Sequence, residues 1–137
     1  MIVVRYADDF VLGFQKQQEA ARFMQALKVR LSKFDLSLHS QKTRLIEFGR
    51  FAAERRSKRG LSKPETFNFL GFTHICSMTR IGRFAVLRRP IRQRVSAKLK
   101  QLNVELKWRR HVPIADLGRW LRSVLNGWYQ YYAVPKT

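Results

Sequence analysis

The chain is poor in acidic residues: nine Asp and Glu stand against 28 Lys and Arg among 137 residues, which gives a formal net charge of +19. Such a charge repels itself and requires a polyanionic partner, which is nucleic acid or, less often, an anionic membrane surface. A hydrophobic content of 45% with 12% aromatic residues is enough for a core, so we expect a folded chain. The length suits one domain or parts of two small ones.

Cysteine is also scarce, and long hydrophobic runs are absent. The single Cys76 excludes internal disulfides and multi-cysteine zinc sites, which fits a reducing compartment. No stretch reaches the roughly 18 apolar residues that a spanning helix needs, so we expect no spanning helix. Nucleic acid, and not a membrane, is the expected partner. Arg5, Asp8 and Asp9 do not fit a signal peptide. The three scattered histidines lack metal-ligand spacing and are expected to be surface or core residues.

Two of the few acidic residues are neighbours in the first hydrophobic stretch, MIVVRYADDFVLGF at positions 1–14. Its two β-prone runs, 2–6 and 10–14, predict a hairpin with Asp8 and Asp9 at the tip. Like charges on a tight bend need a compensating cation. Mg²⁺ is the expected ion because it takes carboxylate oxygens and also binds substrate phosphates, with Mn²⁺ as a substitute. A surface hairpin with an acidic turn is the alternative.

The middle of the chain predicts one helix and several shorter elements. A strand is predicted at 45–48 after a polar bend at 40–43, and a mobile basic loop at 49–66. Alternating apolar residues predict strands at 67–75 and 76–87, with a turn near 79–82, and Gly71 would permit close approach of another backbone. Helical periodicity at 17–34 gives one apolar face, which consists of Ala20, Phe23, Met24, Leu27, Leu31 and Phe34.

The last part of the chain predicts two amphipathic helices. Pro90 is expected at the first position of the first helix, and Pro113 signals the start of the second. Asp116 is expected in the first turn of the second helix, where the helix dipole favours it. The segment ends in an aromatic cluster at 128–132. The buried stripes are predicted at Ile91, Val95, Leu99, Leu102 and Leu106, then at Ile114, Leu117, Trp120, Leu121, Val124 and Leu125.

A family resemblance follows from these motifs. Tyr6-Ala7-Asp8-Asp9 within a hydrophobic hairpin resembles the YADD motif of reverse transcriptases, specifically those encoded by group II introns. The likeness continues in order with L-S-L-H-S-Q-K-T at 36–43, F-N-F-L-G-F at 67–72, basic helices and G-W-Y-Q-Y-Y at 127–132. Asp35 departs from the family pattern, which has glycine there. If that position needs a positive φ, Asp tolerates it less well than glycine.

The resemblance implies an α+β fold: an antiparallel palm-type sheet with a covering helix over 1–88, then a mostly α-helical thumb or maturase-specific region over 89–137. It implies RNA-directed DNA polymerisation with a maturase role. Asp8 and Asp9 would then hold the metal ions, Tyr6 would set the tip against the primer–template, and Lys42 would act near the pyrophosphate. The remaining expected nucleic-acid contacts are Phe69, Leu70 and Gly71 near the primer end, and Arg94, Lys98, Lys100 and Lys107 along phosphates.

The implied partners are structured intron RNA, the RNA template–DNA primer duplex, deoxynucleoside triphosphates, and an upstream fingers and palm portion of the same enzyme. A cytoplasmic, RNA-associated location of bacterial type follows. The family's site needs a further carboxylate, for which no downstream acid is a convincing substitute, so the isolated chain is expected to bind RNA and polymerise little. The alternatives are a non-catalytic RNA-binding splicing cofactor and a generic basic nucleic-acid-binding protein.

Overall fold

The computed structural model describes residues 1–133, and these form two antiparallel sheets and four helices. The last four residues of the predicted thumb lie outside the described part. The chain divides into two compact units, Met1–Glu47 and Phe48–Thr137, while the predicted boundary at 88/89 stays a prediction. The strands are β1 (Ile2–Tyr6), β2 (Asp9–Gly13), β3 (Phe67–Phe69), β4 (Phe72–Met78) and β5 (Phe84–Pro90). The helices are α1 (Gln17–Ser32), α2 (Ala52–Lys58), α3 (Arg92–Trp108) and α4 (Ile114–Tyr132).

The first unit consists of the predicted hairpin and the predicted helix. Strands β1 and β2 pair antiparallel from Ile2↔Gly13 to Tyr6↔Asp9, so Asp9 already belongs to β2 and the turn is residues 7–8. Ala20 is buried in α1, and the rings of Phe14 and Phe23 lie 5.4 Å apart. The helix prediction is therefore confirmed, although its apolar face ends earlier, because α1 stops at Ser32 and Phe34 is 63% exposed.

The segment that follows α1 contains Asp35 and one wrong prediction. Asp35 has a φ of +56°, so this position does take the left-handed conformation that glycine prefers. The strand predicted at 45–48 does not form. Instead, the ring of Phe48 packs edge-on against Phe67 at 5.0 Å, and Gly49 follows with a φ of +124°. The structure has two sheets, β1-β2 and β3-β4-β5, where a single antiparallel sheet was expected.

The predicted loop at 49–66 contains the short helix α2. Ala52 is only 3% exposed, and the Lys58 ammonium donates to Glu54 Oε1 at 2.6 Å one turn earlier. Alanine and the long charged residues of this stretch favour helix, and an ion pair at a four-residue spacing adds to that. The loop prediction was wrong here because it weighed charge and overlooked helix propensity.

The second sheet is a meander in which β4 is central. The register of β4 and β5 runs from Phe72↔Pro90 to Met78↔Phe84, and the connecting turn near 79–82 agrees with the prediction. Pro90 ends β5, so its predicted place at the start of a helix was wrong. Proline is tolerated there because β5 is an edge strand, which has a hydrogen-bonded neighbour on one side only.

Helices α3 and α4 confirm the predicted pair, with partly different apolar faces. Leu99 and Ile114 are 60% and 88% exposed, whereas the remaining predicted stripe residues are half-buried. Ile114 stands at the first position of α4. No helix in the described residues has the length and hydrophobicity to cross a membrane.

Candidate active site and nucleic-acid surface

Turn 7–8 carries the two neighbouring carboxylates. Ala7 has a φ of +49°, which is unusual for a residue with a side chain, and its carbonyl accepts a hydrogen bond from Arg5 Nε at 3.0 Å. Asp8 in the turn and Asp9 at the first position of β2 are both exposed, as is Tyr6 on the paired strand. The local sequence therefore presents two carboxylates to solvent at the end of a hairpin.

These carboxylates fit part of a metal site. Mg²⁺ is commonly bound through one or two protein carboxylates, with substrate phosphates and waters as the other ligands. Among residues 1–133, no group of three or more His, Cys, Asp and Glu side chains is placed to hold an ion. Asp8 and Asp9 can thus serve as two ligands, and a complete two-ion site requires at least one more acidic group.

Lys42 lies exposed in the bend that follows α1. The backbone N–H groups of Lys42 and Thr43 both donate to the carbonyl of His39, at 3.2 and 2.9 Å. This bend leaves the Lys42 ammonium in solvent, and its expected role near the pyrophosphate stays a prediction.

The F-L-G-F element folds as a second hairpin turn, residues 70–71, between the paired Phe69 and Phe72. Leu70 and Gly71 have φ values of +49° and +81°, the two positive angles of a type I′ turn. Both carbonyls have remote donors: Tyr131 Oη donates to Leu70 at 3.1 Å, and the Ile91 N–H donates to Gly71 at 3.1 Å. Donors outside the hairpin therefore contact both residues of this turn.

Gly71 permits close approach, but of side chains and not of the predicted backbone. A Cβ added at Gly71 would lie 3.0 Å from Arg94 Nη1 and 3.2 Å from Tyr131 Oη. Phe72, only 9% exposed, stacks on Tyr131 at 6.1 Å and meets Tyr132 edge-on at 5.4 Å between ring centroids. The aromatic end of α4 thus packs against this turn.

His74 is a structural residue. Its ring stacks on Phe67 at 4.8 Å. Burial lowers the pKa of His74 below its usual value, and the charge of Arg88 acts in the same direction. The half-buried imidazole stacked on Phe67 agrees with the prediction that this histidine is a core or surface residue.

The basic residues predicted on α3 do not share one face. At about 100° per residue, Lys100 and Lys107 lie within about 20° of each other, whereas Lys98 is turned about 160° from Lys100. Lys98 is half-buried, and its ammonium donates to Gln101 Oε1 at 3.4 Å. Lys100 and Lys107 are exposed, and Arg94 lies over Gly71.

The sequence analysis did not predict several polar residues that contact the two turns or line surface grooves. Arg5 and Tyr131 are the side-chain donors at the two turns. Tyr131 belongs to the G-W-Y-Q-Y-Y motif, but nothing in that motif indicates its contact with turn 70–71. An open groove of about 520 Å³ runs along α1, lined by Arg22, Gln25, Ala26, Val29, Arg30 and Lys33. Another of about 480 Å³ lies on α4, lined by Arg119, Arg122, Ser123, Asn126, Gly127 and Gln130. The three- and four-residue spacing of both sets is a signal that could have identified them.

Comparison with protein families decides the family. Residues 1–74, just over half of the 137, match the model described as reverse transcriptase (RNA-dependent DNA polymerase). The chain belongs to the reverse transcriptase family. The match includes both hairpin turns, and RNA-directed DNA polymerisation is the activity of that family. Neither the curated proteins nor the solved structures gave a match.

Proposed function

We propose that the chain is a palm and thumb portion of a reverse transcriptase of the group II intron type, which polymerises DNA on RNA and binds intron RNA. The observation that carries the proposal is the exposed pair Asp8 and Asp9 at a hairpin end, within the region that matches reverse transcriptases. The order of the later motifs supports the intron type.

Asp8 and Asp9 would hold Mg²⁺, with Mn²⁺ as a substitute. When bound, the ions would supply activation of the primer 3′-hydroxyl and neutralisation of the triphosphate. Lys42 would offer a cation or a proton to the departing pyrophosphate. Tyr6 would orient the hairpin tip against the primer–template, and Phe69 with turn 70–71 would hold the primer end. Because two carboxylates do not complete such a site, an upstream portion with a further acidic residue would be the partner.

The charge of +19 supports RNA binding. The exposed Lys100 and Lys107 lie on one side of α3, where they would contact phosphates across a groove of A-form RNA or of an RNA–DNA hybrid. Arg94 and Lys98 lie elsewhere on the same helix, so their proposed phosphate contacts would follow another part of the backbone. Structured intron RNA, the template–primer duplex and deoxynucleoside triphosphates are the proposed partners, in an RNA-associated cytoplasmic setting.

The metal assignment can be tested on the chain alone with Mn²⁺ as the probe. We expect Mn²⁺ to broaden the amide resonances of residues 7–10 first, and this effect to be lost in Asp8→Asn and Asp9→Asn. The matched control is Asp116→Asn, which removes one acidic charge from the other unit and should leave the broadening unchanged. Broadening that is no stronger at residues 7–10 than elsewhere would contradict the proposal.

A primer-extension assay tests the activity itself. We expect the isolated chain to extend a DNA primer on RNA very little with Mg²⁺, because its described residues offer no third ligand. Strong extension that Asp8→Ala abolishes would show that the chain completes its own site and would contradict the need for an upstream partner.

A non-catalytic splicing cofactor remains the second candidate, and the lack of a third metal ligand among residues 1–133 favours it. Such a protein would bind folded intron RNA tightly, and Asp8→Asn would leave that binding unchanged. A generic basic protein would bind any polyanion with a steep salt dependence and no preference for structured RNA. Competition between folded intron RNA and unstructured RNA of the same length, at several salt concentrations, distinguishes the splicing cofactor from the generic basic protein.

A further inference from the structure

Turn 70–71 has a backbone that its own sequence does not favour. Type I′ turns need two positive φ values and prefer Asn-Gly or Asp-Gly, whereas here the first position is Leu70, with a φ of +49°. For a residue with a bulky side chain the left-handed conformation is strained, and it persists only where surrounding structure determines it.

Tyr131 is the group best placed to do so. Its hydroxyl crosses 61 residues of sequence to donate to the Leu70 carbonyl at 3.1 Å, and its Cε1 would lie 3.4 Å from a Cβ at Gly71. The ring is itself positioned by Phe72 and by Tyr132, the latter at 4.7 Å and edge-on. The ring of Tyr131 is thus in contact with two other rings while its hydroxyl donates to the turn.

We propose that Tyr131 is a positioning residue that holds turn 70–71 in its nucleic-acid-binding conformation. The inference rests on the proposed function of that turn at the primer end. Tyr131 acts through the turn and need not touch the nucleic acid. The C-terminal part of α4 and the F-L-G-F turn therefore form one functional unit, although the residues are far apart in sequence.

Tyr129 offers a matched control on the same helix. Tyr129 is 59% exposed and Tyr131 is 52% exposed, so removal of either hydroxyl changes a similarly solvated side chain. Tyr131→Phe removes the donor to Leu70 and keeps the ring that stacks on Phe72. Differences between Tyr131→Phe and Tyr129→Phe therefore report on the hydrogen bond to the turn.

The binding assay compares an RNA annealed to a DNA primer with a recessed 3′ end against the same RNA as a single strand. Salt of about 0.3 M screens the exposed phosphate contacts, which otherwise bind any polyanion. We expect Tyr131→Phe to weaken hybrid binding about three- to tenfold, the range for one neutral hydrogen bond, with single-strand binding unchanged. Tyr129→Phe should bind both as the wild type does.

A double-mutant cycle separates positioning from direct contact. Leu70→Asn places a residue that accepts a positive φ at the first turn position, so the turn no longer depends on Tyr131. In that background, adding Tyr131→Phe should change hybrid affinity less than twofold. In the single Tyr131→Phe variant, the amide resonances of Leu70 and Gly71 should shift, which a loss of direct nucleic-acid contact alone would not cause.

The outcomes distinguish the inference from the proposed function. If the wild type prefers the hybrid and Tyr131→Phe matches Tyr129→Phe, the positioning role is wrong. An equal loss from Tyr131→Phe in both backgrounds would overturn it as well, in favour of direct contact. A wild type without preference for the hybrid would instead overturn the proposed function of the turn, and the positioning role with it.

Discussion

Ala7 and Leu70 occupy equivalent places in two hairpins: each is the first residue of a two-residue turn, and each has a φ of +49°. The groups that contact the two turns differ. Ala7 accepts a hydrogen bond from Arg5, two residues away and exposed, whereas turn 70–71 accepts bonds from Tyr131 and Ile91. The same positive φ at the first turn residue is thus accompanied by a local hydrogen bond in one unit and by donors far along the chain in the other.

This difference agrees with what each turn is proposed to do. Turn 7–8 presents charged ligands, and an exposed side-chain hydrogen bond contributes little to stability in water, so a bound cation would supply the remaining order. Turn 70–71 carries no charged ligand of its own and can act only through shape. A turn that acts through shape needs rigid neighbours, and α3 and α4 supply them.

The largest expected effect follows from Phe72→Ala. Phe72 is a core residue at 9% exposure that packs on Tyr131 and Tyr132, so we expect the variant to lose about 3 kcal/mol of unfolding free energy. Trp108, Trp120 and Trp128 all lie in the second unit, so urea unfolding followed by tryptophan fluorescence reports on it.

Phe10→Ala is the control for Phe72→Ala in the other hairpin. Phe10 is 41% exposed, so we expect Phe10→Ala to lose about 1 kcal/mol of unfolding free energy. The loss is measured by hydrogen exchange because the first unit has no tryptophan. Equal losses for the two variants would contradict the difference in packing between the hairpins.

The next largest effect is expected from Gly71→Ala. The alanine would have to keep a positive φ, and its Cβ would lie 3.0 Å from Arg94 Nη1 and 3.2 Å from Tyr131 Oη. We therefore expect a loss of about 2 kcal/mol of unfolding free energy. Gly82→Ala separates the two causes, because Gly82 has a φ of +73° and no atom within 4 Å of an added Cβ. That variant should cost about 1 kcal/mol, the expense of the backbone conformation alone. If both variants lose the same amount, the neighbours of Gly71 do not constrain the turn.

The same contrast explains which features could be predicted from sequence. The YADD hairpin, α1 and the two C-terminal helices have strong local periodicity, and the site residues Asp8 and Asp9 lie within one short motif. The contact of Tyr131 with turn 70–71 spans 61 positions and has no local signal. The predicted strand at 45–48 failed for a related reason: Phe48 packs on Phe67, a contact that alternation cannot reveal.

A smaller effect of opposite sign is expected for Ala7→Gly. Glycine adopts a φ of +49° without steric cost, and part of this gain is lost because glycine is freer in the unfolded chain. We therefore expect the first hairpin to gain about 0.5 kcal/mol by hydrogen exchange. Asp35→Gly is the matched variant outside a hairpin, with a φ of +56°, and should gain a similar amount. A loss of stability in Ala7→Gly would mean that the Ala7 methyl group has a packing role.

The smallest effect is expected for Arg5→Gln, which removes the bond from Arg5 Nε to the Ala7 carbonyl. Because this hydrogen bond is exposed, we expect a loss of less than about 0.5 kcal/mol, visible as faster amide exchange at residues 7–9 and unchanged exchange at turn 70–71. Arg22→Gln, an exposed arginine on α1, controls for the lost charge in the same unit. With Mn²⁺ present the exchange difference at residues 7–9 should shrink, because a cation at Asp8 and Asp9 orders the turn that Arg5 otherwise supports. An undiminished difference would mean that the cation and Arg5 act on separate features, and that the first turn is not ordered by the ligand it is proposed to bind.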